Sequence, residues 1–194
     1  MDMSKILEIN KRDNWSLWLL GWRIIECCDH YLISFSRERL PDYDAGHRIF
    51  WERITMDNLT ECRHSPYSLK QMEYYLKNEP SEGFLFFDAD TNDAVGCMWI
   101  MYRGGNELQY RVRNVDAFGF DFCVFPQFRG KGYFQCFLHS VMAYLNDKQI
   151  HTLYASVRRN NYNAIRAYEK SGMQIITRKV FFRVHNFRFP YPVV

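Results

Sequence analysis

Five residues, Arg129-Gly130-Lys131-Gly132-Tyr133, place two cations and two glycines between a β-type segment and a helical one. Glycine lets a backbone turn tightly and approach a ligand closely. The first amides of a helix lack partners within it and carry the positive end of its dipole. A turn of this composition suits a phosphate or pyrophosphate; read by itself it is equally an ordinary strand-to-helix turn. The spacing is not that of a P-loop, GxxxxGK[ST]. A dinucleotide fingerprint starting at Gly130 and Gly132 has Gln135 in its last glycine position. Other reactive side chains point elsewhere. Cys123 has no activating histidine in the pattern and reads as a small buried strand residue. His139 reads as a surface or capping residue. The six histidines show no HExxH or other ligand spacing, which predicts no metal.

The elements that hold the turn emerge from periodicity. Phe118, Phe120, Phe122 and Val124 alternate on one side of a strand that Pro126 must stop, because proline has no N–H for a sheet. From Phe134 the period changes to that of an amphipathic helix, carried by Phe137, Leu138, Val141, Met142 and Leu145. Upstream, Gly83 to Asp88 and Ala94 to Tyr102 read as a hairpin around Asp90-Thr91-Asn92-Asp93. Ser68 starts a short helix to about Lys77, closed by Pro80. Tyr31 to Ser36 and His47 to Ile54 alternate as strands and are expected to pair as a hairpin across turn residues, with Thr55 or Asp57 as the N-cap of a first helix. Downstream come a strand at Leu153 to Val157, a helix at Asn161 to Ser171 with Gly172 past its end, and a closing strand at Met173 to Val184. Asn14 to Cys28 is helical in pattern. Trp15, Trp18, Leu19 and Trp22 form one face and Leu17, Leu20 and Ile24 another, so this helix wants burial against the domain or a second copy of the chain. With Lys11, Arg12 and Arg23 nearby, a membrane-interface helix is the alternative.

Two motifs carry a resemblance. Val124, Pro126, Arg129, Gly130 and Gly132 form V-x-P-x-x-R-G-x-G after a strand, which resembles the acyl-CoA signature of the GNAT superfamily of N-acetyltransferases. Asn161, Ala164, Ile165, Tyr168, Glu169, Gly172 and Met173 resemble a later motif of the same superfamily, N-x-x-A-[IV]-x-x-Y-E-x-x-G-[FM]. The first motif departs from the family at Phe134, where a small residue is usual. The resemblance is strong over Phe118 to Met173, looser over roughly Ile49 to Val184, and leaves the first 45 or so residues outside.

The resemblance implies an α/β (α+β) fold, a mixed, mostly antiparallel sheet with helices on both faces and an N-terminal helix and strand extension. Residues 1–45 are then an extension packed on an acetyltransferase domain at 46–194. It implies acetyl-CoA as cosubstrate, with pyrophosphate held by Arg129, Gly130, Lys131, Gly132, Tyr133 and Phe134, and the oxyanion and pantetheine arm by amides near Val124. Asn161 is implied as a CoA contact, although asparagine is also a favoured N-cap. Tyr168 is implied as the acid that protonates the leaving thiolate, the competing reading being a core aromatic. The family often places a carboxylate base on the central strand, where Asp121 lies opposite the Phe120/Phe122 face; a structural partner for an arginine is the equal alternative. Glu107 and Asp116 are weaker base candidates.

Composition narrows the partners. A formal charge of +3 over 194 residues is too small for a nucleic-acid surface. Aromatic residues reach 18%, so some are expected to line a pocket or interface. Arg103, Arg111 and Arg113 lie in a polar stretch that is a solvated loop or presents cations to an anionic acceptor. Six cysteines with no CxxC and no leader-like segment before them predict reduced thiols in a cytoplasmic protein, and no apolar run reaches membrane-spanning length. The acceptor expected is a small-molecule amine, an amino sugar or its nucleotide. A protein or aminoacyl-tRNA amine is the runner-up, and a CoA-binding module without turnover is the reading from another class. A homodimer fits the Trp-rich segment.

Overall fold

The computed structural model describes residues 16–19, 22–42, 46–106 and 111–184. Lys11, Arg12, Trp15, Leu20 and Glu107, which carried parts of the expectations above, lie outside them. Among the described residues eight strands form one sheet: β1 (Ser16–Leu19), β2 (Trp22–Ser36), β3 (Ile49–Arg53), β4 (Ser81–Asp88), β5 (Ala94–Tyr102), β6 (Ala117–Val124), β7 (Thr152–Arg158) and β8 (Gln174–Val184). The helices are α1 (Leu69–Asn78), α2 (Tyr133–Asp147) and α3 (Tyr162–Lys170), with a 3-10 turn at Leu59–His64 and another at Pro126–Phe128. In space the order is β1-β2-β7-β6-β5-β4-β3, and β8 pairs with β2. Every neighbouring pair is antiparallel except β6 and β7, which α2 connects.

Both faces are covered, which explains the nearly unbroken apolar runs of β4 and β5. The periodic face of α2, Phe137, Leu138, Val141, Met142 and Leu145, joins Phe35, Phe86 and Tyr168 in one core layer. On the other face α1 and the Leu59–His64 turn cover Trp99, Phe118, Phe120 and Phe125. Ser68 caps α1 by accepting from the Gln71 amide at 3.2 Å. Asn161 caps α3 in the same way, accepting from Ala164 at 3.3 Å.

Three expectations are corrected. The described part of Asn14 to Cys28 is strand, β1 and the first half of β2, and not helix. An all-round apolar segment satisfies either geometry, and here both edges of β2 find partners: His30–Ser36 pairs with β7 and Ile25–Ser34 with β8. The Tyr31–Ser36 strand therefore makes no hairpin with β3, which pairs with β4 at the far end of the sheet. Neither Thr55 nor Asp57 caps a helix; Asn58 precedes the 3-10 turn, and its side chain accepts from the Thr55 amide at 2.8 Å. Among the described residues no helix is long and apolar enough to cross a membrane.

Candidate active site

The site lies where the sheet comes apart. β6 and β7 are partners only at Phe118–Tyr154 and Gly119–Ala155, so among the described residues no strand lies beside β6 on that edge from Phe120 onward. The same stretch of β6 carries a bulge against β5. Trp99 faces Phe120 and Cys97 faces Cys123, so two residues, Asp121 and Phe122, stand opposite one. Asp121 absorbs the irregularity at φ +48°, a left-handed conformation that aspartate tolerates better than most residues.

The bulge corrects the expected alternation. Phe118, Phe120 and Cys123 pack in the α1 layer, while Phe122 and Val124 pack in the α2 layer. Asp121 is therefore on the same side as Phe120: its Oδ2 accepts from the Ser65 hydroxyl and lies 3.9 Å from the Cys97 thiol, both on the α1 side. Ser65 is itself fixed, its Oγ accepting from the Tyr67 amide at 3.0 Å. Nothing in the sequence singled out Ser65, which is 56 residues from Asp121.

Tyr168 approaches from the other face. Its ring sits edge-on to Phe35 at 5.6 Å, edge-on to Phe122 at 6.0 Å and tilted against Phe134 at 5.1 Å. Among the described residues none hydrogen-bonds its hydroxyl. Burial, and after it the negative charge of Asp121, push the phenol well above its ordinary value of 10.0. Asp121 and Tyr168 thus stand on opposite faces of the unpaired stretch of β6, close enough to feel one another.

The end of β6 leads into the glycine turn. Phe125 donates its amide to Val95 on β5 at 2.9 Å, whereas the Val124 carbonyl accepts from Arg129 Nε at 3.0 Å. The N–H and C=O of one strand residue leave on the same edge. Val124 consequently presents both toward the side from which β7 has diverged. Arg129 ties the turn back to the strand end. Gly130 and Gly132 have φ of +76° and +91°, and a Cβ added at Gly130 would meet no atom within 4 Å, so the turn is open there. α2 begins at Tyr133, directly after Gly132. Lys131 is exposed, its ammonium 5.5 Å over the Phe128 ring. Tyr133 is buried, its hydroxyl donating to Asp88 Oδ2 at 2.5 Å. Phe134 turns into the core against Tyr168 and Phe122, away from solvent. Asn161 stands at the start of α3, where its side chain caps the helix.

The remaining candidates separate from this site. Cys123 is 5% exposed and its thiol faces the His64 carbonyl at 3.7 Å. A hydrogen bond with Cys97, and also the Arg129 cation, draw Cys123 below the usual thiol value, while Cys97 rises well above it through its bonds with Cys123 and Cys62 and through burial. Asp116 is exposed and pairs with Arg103 at 2.7 Å. Arg113 donates to the Gly105 carbonyl at 3.4 Å, so two of the three loop arginines are engaged within the loop itself. Among the described residues no cluster of three or more metal-ligating side chains occurs.

Comparison with known families decides the lineage. Residues 35–174 match the model of the acetyltransferase (GNAT) domain. The chain belongs to the GNAT family. The GNAT match runs from the last residues of β2 to the first of β8 and includes the whole site. No curated protein matches the chain at a significant level. Among solved structures, a tandem GNAT protein from the clavulanic acid biosynthesis pathway is 12% identical with a TM-score of 0.56, covering 80% of this chain and 52% of its own. The GNAT chain thus spans about half the length of that relative. An aminoglycoside antibiotic 6'-N-acetyltransferase from Acinetobacter baumannii is 16% identical, with a TM-score of 0.55 over 72% of this chain and 100% of its own. Another aminoglycoside 6'-N-acetyltransferase, solved with a CoA bisubstrate analogue of acetylneamine, is 15% identical, with a TM-score of 0.55 over 70% and 97%. At these identities the likeness is one of GNAT fold.

Proposed function

We propose that this GNAT protein transfers the acetyl group of acetyl-CoA to a primary amine by direct attack, the acceptor being a small molecule such as an amino sugar or its nucleotide. One observation carries the reading: an open glycine turn at the helix start continues into an unpaired strand edge flanked by Asp121 on one face and Tyr168 on the other.

In this reading the amides of Gly130 through Phe134 and the Lys131 ammonium hold the pyrophosphate, and Phe134 contributes its amide while its ring stays in the core. Val124 offers its backbone to the pantetheine arm and its N–H to the oxyanion that forms when the amine attacks the thioester carbonyl. Asp121 removes the amine proton through water, and the protonated Tyr168 phenol donates to the departing thiolate. Asn161 adds a CoA contact beside its cap. The small-molecule acceptor is supported by the fold likeness to two aminoglycoside acetyltransferases. Acetylation of a protein amine would need an open groove, and of aminoacyl-tRNA a stronger positive field than a formal charge of +3 supplies. The close packing of three rings on Tyr168 favours one second reading, a CoA-binding module without turnover.

Thermal-shift titration with acetyl-CoA, CoA and ATP tests the cofactor site on the natural protein, Gly132→Ala and Gly132→Glu. The alanine variant carries the backbone strain alone, and the glutamate adds bulk and charge. Stabilisation by both CoA species that Gly132→Glu loses and Gly132→Ala retains supports the site; no shift with the natural protein ends the reading. Release of free thiol from acetyl-CoA, followed against amino sugars, aminoglycosides and peptide amines, separates the enzyme from the inert module.

A further inference from the structure

Resting on the reading that the Gly130–Gly132 turn takes the CoA pyrophosphate, we propose that His47 is a positioning residue for that turn, fixing its backbone for the phosphates from a connection 84 residues upstream in sequence. Three contacts place it. His47 Nε2 donates to the Lys131 carbonyl at 2.9 Å, and because a carbonyl only accepts, Nε2 carries the proton. The His47 ring stacks on Tyr133, with centroids 4.5 Å apart and planes 21° from parallel. Tyr133 is anchored at its far end to Asp88, whose Oδ1 accepts from the Asp90 and Thr91 amides at 2.9 and 3.1 Å.

The consequence lies in the peptide between Lys131 and Gly132. Glycine accepts either sign of φ at little cost, so the peptide joining Lys131 to Gly132 can reverse its carbonyl and amide through φ of Gly132 and ψ of Lys131. In one orientation the Lys131 oxygen would be free to turn toward an anion and repel it. The peptide is trans, so a carbonyl held by His47 forces the following N–H to the opposite side. The hydrogen bond selects one orientation, and the stack on Tyr133 holds the imidazole in place to make it. The first residue of α2 is clamped at the same time between His47 and Asp88, which fixes the amides at the helix start. Selecting a conformation before the ligand arrives raises affinity by removing an ordering cost. His47 touches no reacting atom in this account, so it changes cofactor binding and leaves the acetyl-transfer step alone.

Two variants separate the donor from the ring. His47→Phe keeps an aromatic face for Tyr133 and removes the N–H; His47→Gln keeps an N–H donor and removes the ring. Calorimetric titration of CoA into the natural protein and both variants, with steady-state kinetics at varied acetyl-CoA, reads the effect. His47→Phe should weaken CoA binding about tenfold, the scale of one hydrogen bond. It should raise KM for acetyl-CoA in step, with kcat within about twofold. His47→Gln should recover affinity to within about threefold of the natural protein. CoA binding by His47→Phe equal to that of the natural protein, or an equal loss in both variants, overturns the role of the donor. A natural protein that binds no CoA overturns the functional reading beneath it, an outcome distinct from the other two. If His47→Phe does not fold, failure of the folded His47→Gln to bind CoA overturns the inference by itself.

Discussion

The Ser65 hydroxyl donates to the Asp121 carboxylate, joining the loop before α1 to the bulge of the central strand. A carboxylate that acts as a base must stay in place after its proton load changes, and a serine whose oxygen is already held by the Tyr67 amide is a rigid support. Asp121→Asn should lower kcat/KM about 10²–10³-fold, the usual yield of a general base. Ser65→Ala should cost about 1–3 kcal/mol of stability, since it strips a hydrogen bond from a buried carboxylate, and should lower kcat less than Asp121→Asn does. Urea melts and amine-dependent thiol release measure the two effects separately. An Asp121→Asn enzyme within threefold of natural activity would remove Asp121 from the mechanism and leave it the structural role.

Tyr168→Phe is a sharp test because the ring contacts with Phe35, Phe122 and Phe134 survive it. The hydroxyl has no hydrogen-bond partner among the described residues, so no buried group is orphaned by its loss. Stability should change by less than about 1 kcal/mol, and kcat should fall about 10²–10⁴-fold if the phenol supplies the thiolate proton. The phenol is pushed above 10.0, so the natural enzyme keeps its acid form throughout the assay range. Its kcat should show no alkaline loss from this group below pH 10. A full-activity Tyr168→Phe enzyme would assign the thiolate proton to solvent.

Much of this arrangement is legible in the residue pattern. Pro126 and the change from period two to a helical period at Phe134 mark the junction of β6 and α2, and Ser68 and Asn161 announce their helices. These signals are local. The bulge at Asp121 is not, because it arises from the register of β6 against β5, and simple alternation put the carboxylate on the wrong face. The strand nature of Trp22 to Cys28 is equally non-local. A mostly apolar segment whose few polar residues mark no consistent face is resolved only by its neighbours, here β1 and β8. Phe134, an apparent departure from a family motif, has its explanation in the core, where Tyr168 and Phe122 receive the ring.

The Tyr133–Asp88 bond makes the turn's anchorage depend on pH at both extremes. Its carboxylate is held below the usual 3.8, first by the Tyr133 hydroxyl, so the stability it contributes is present above that value and is lost as pH falls below it. Burial, then Asp88, push the phenol up to about 12 from 10.0, so its contribution is present below pH 10 and is lost as pH rises from 10 toward 12. The stability difference between the natural protein and Tyr133→Phe, from urea titrations across pH, should be flat from about pH 5 to 9 and shrink at both ends. A difference that stays constant from pH 3 to pH 11 would show that the bond is not made in solution.

Phe134→Ala separates two roles that one residue could have. Truncating a ring that is 9% exposed and packed on Tyr168 and Phe122 leaves a cavity. The expected cost is about 3 kcal/mol, a Tm loss on the order of 6–12 °C. The backbone amide of residue 134 persists in the variant, and alanine is a small residue of the kind the family usually has there. If the amide is the cofactor contact, CoA affinity measured well below the variant's Tm should stay within about threefold of the natural value. If the ring itself holds the pantetheine arm, affinity should fall tenfold or more. Gain of affinity in Phe134→Ala would mean that the ring narrows the slot between β6 and β7, and that the natural protein trades cofactor affinity for a filled core.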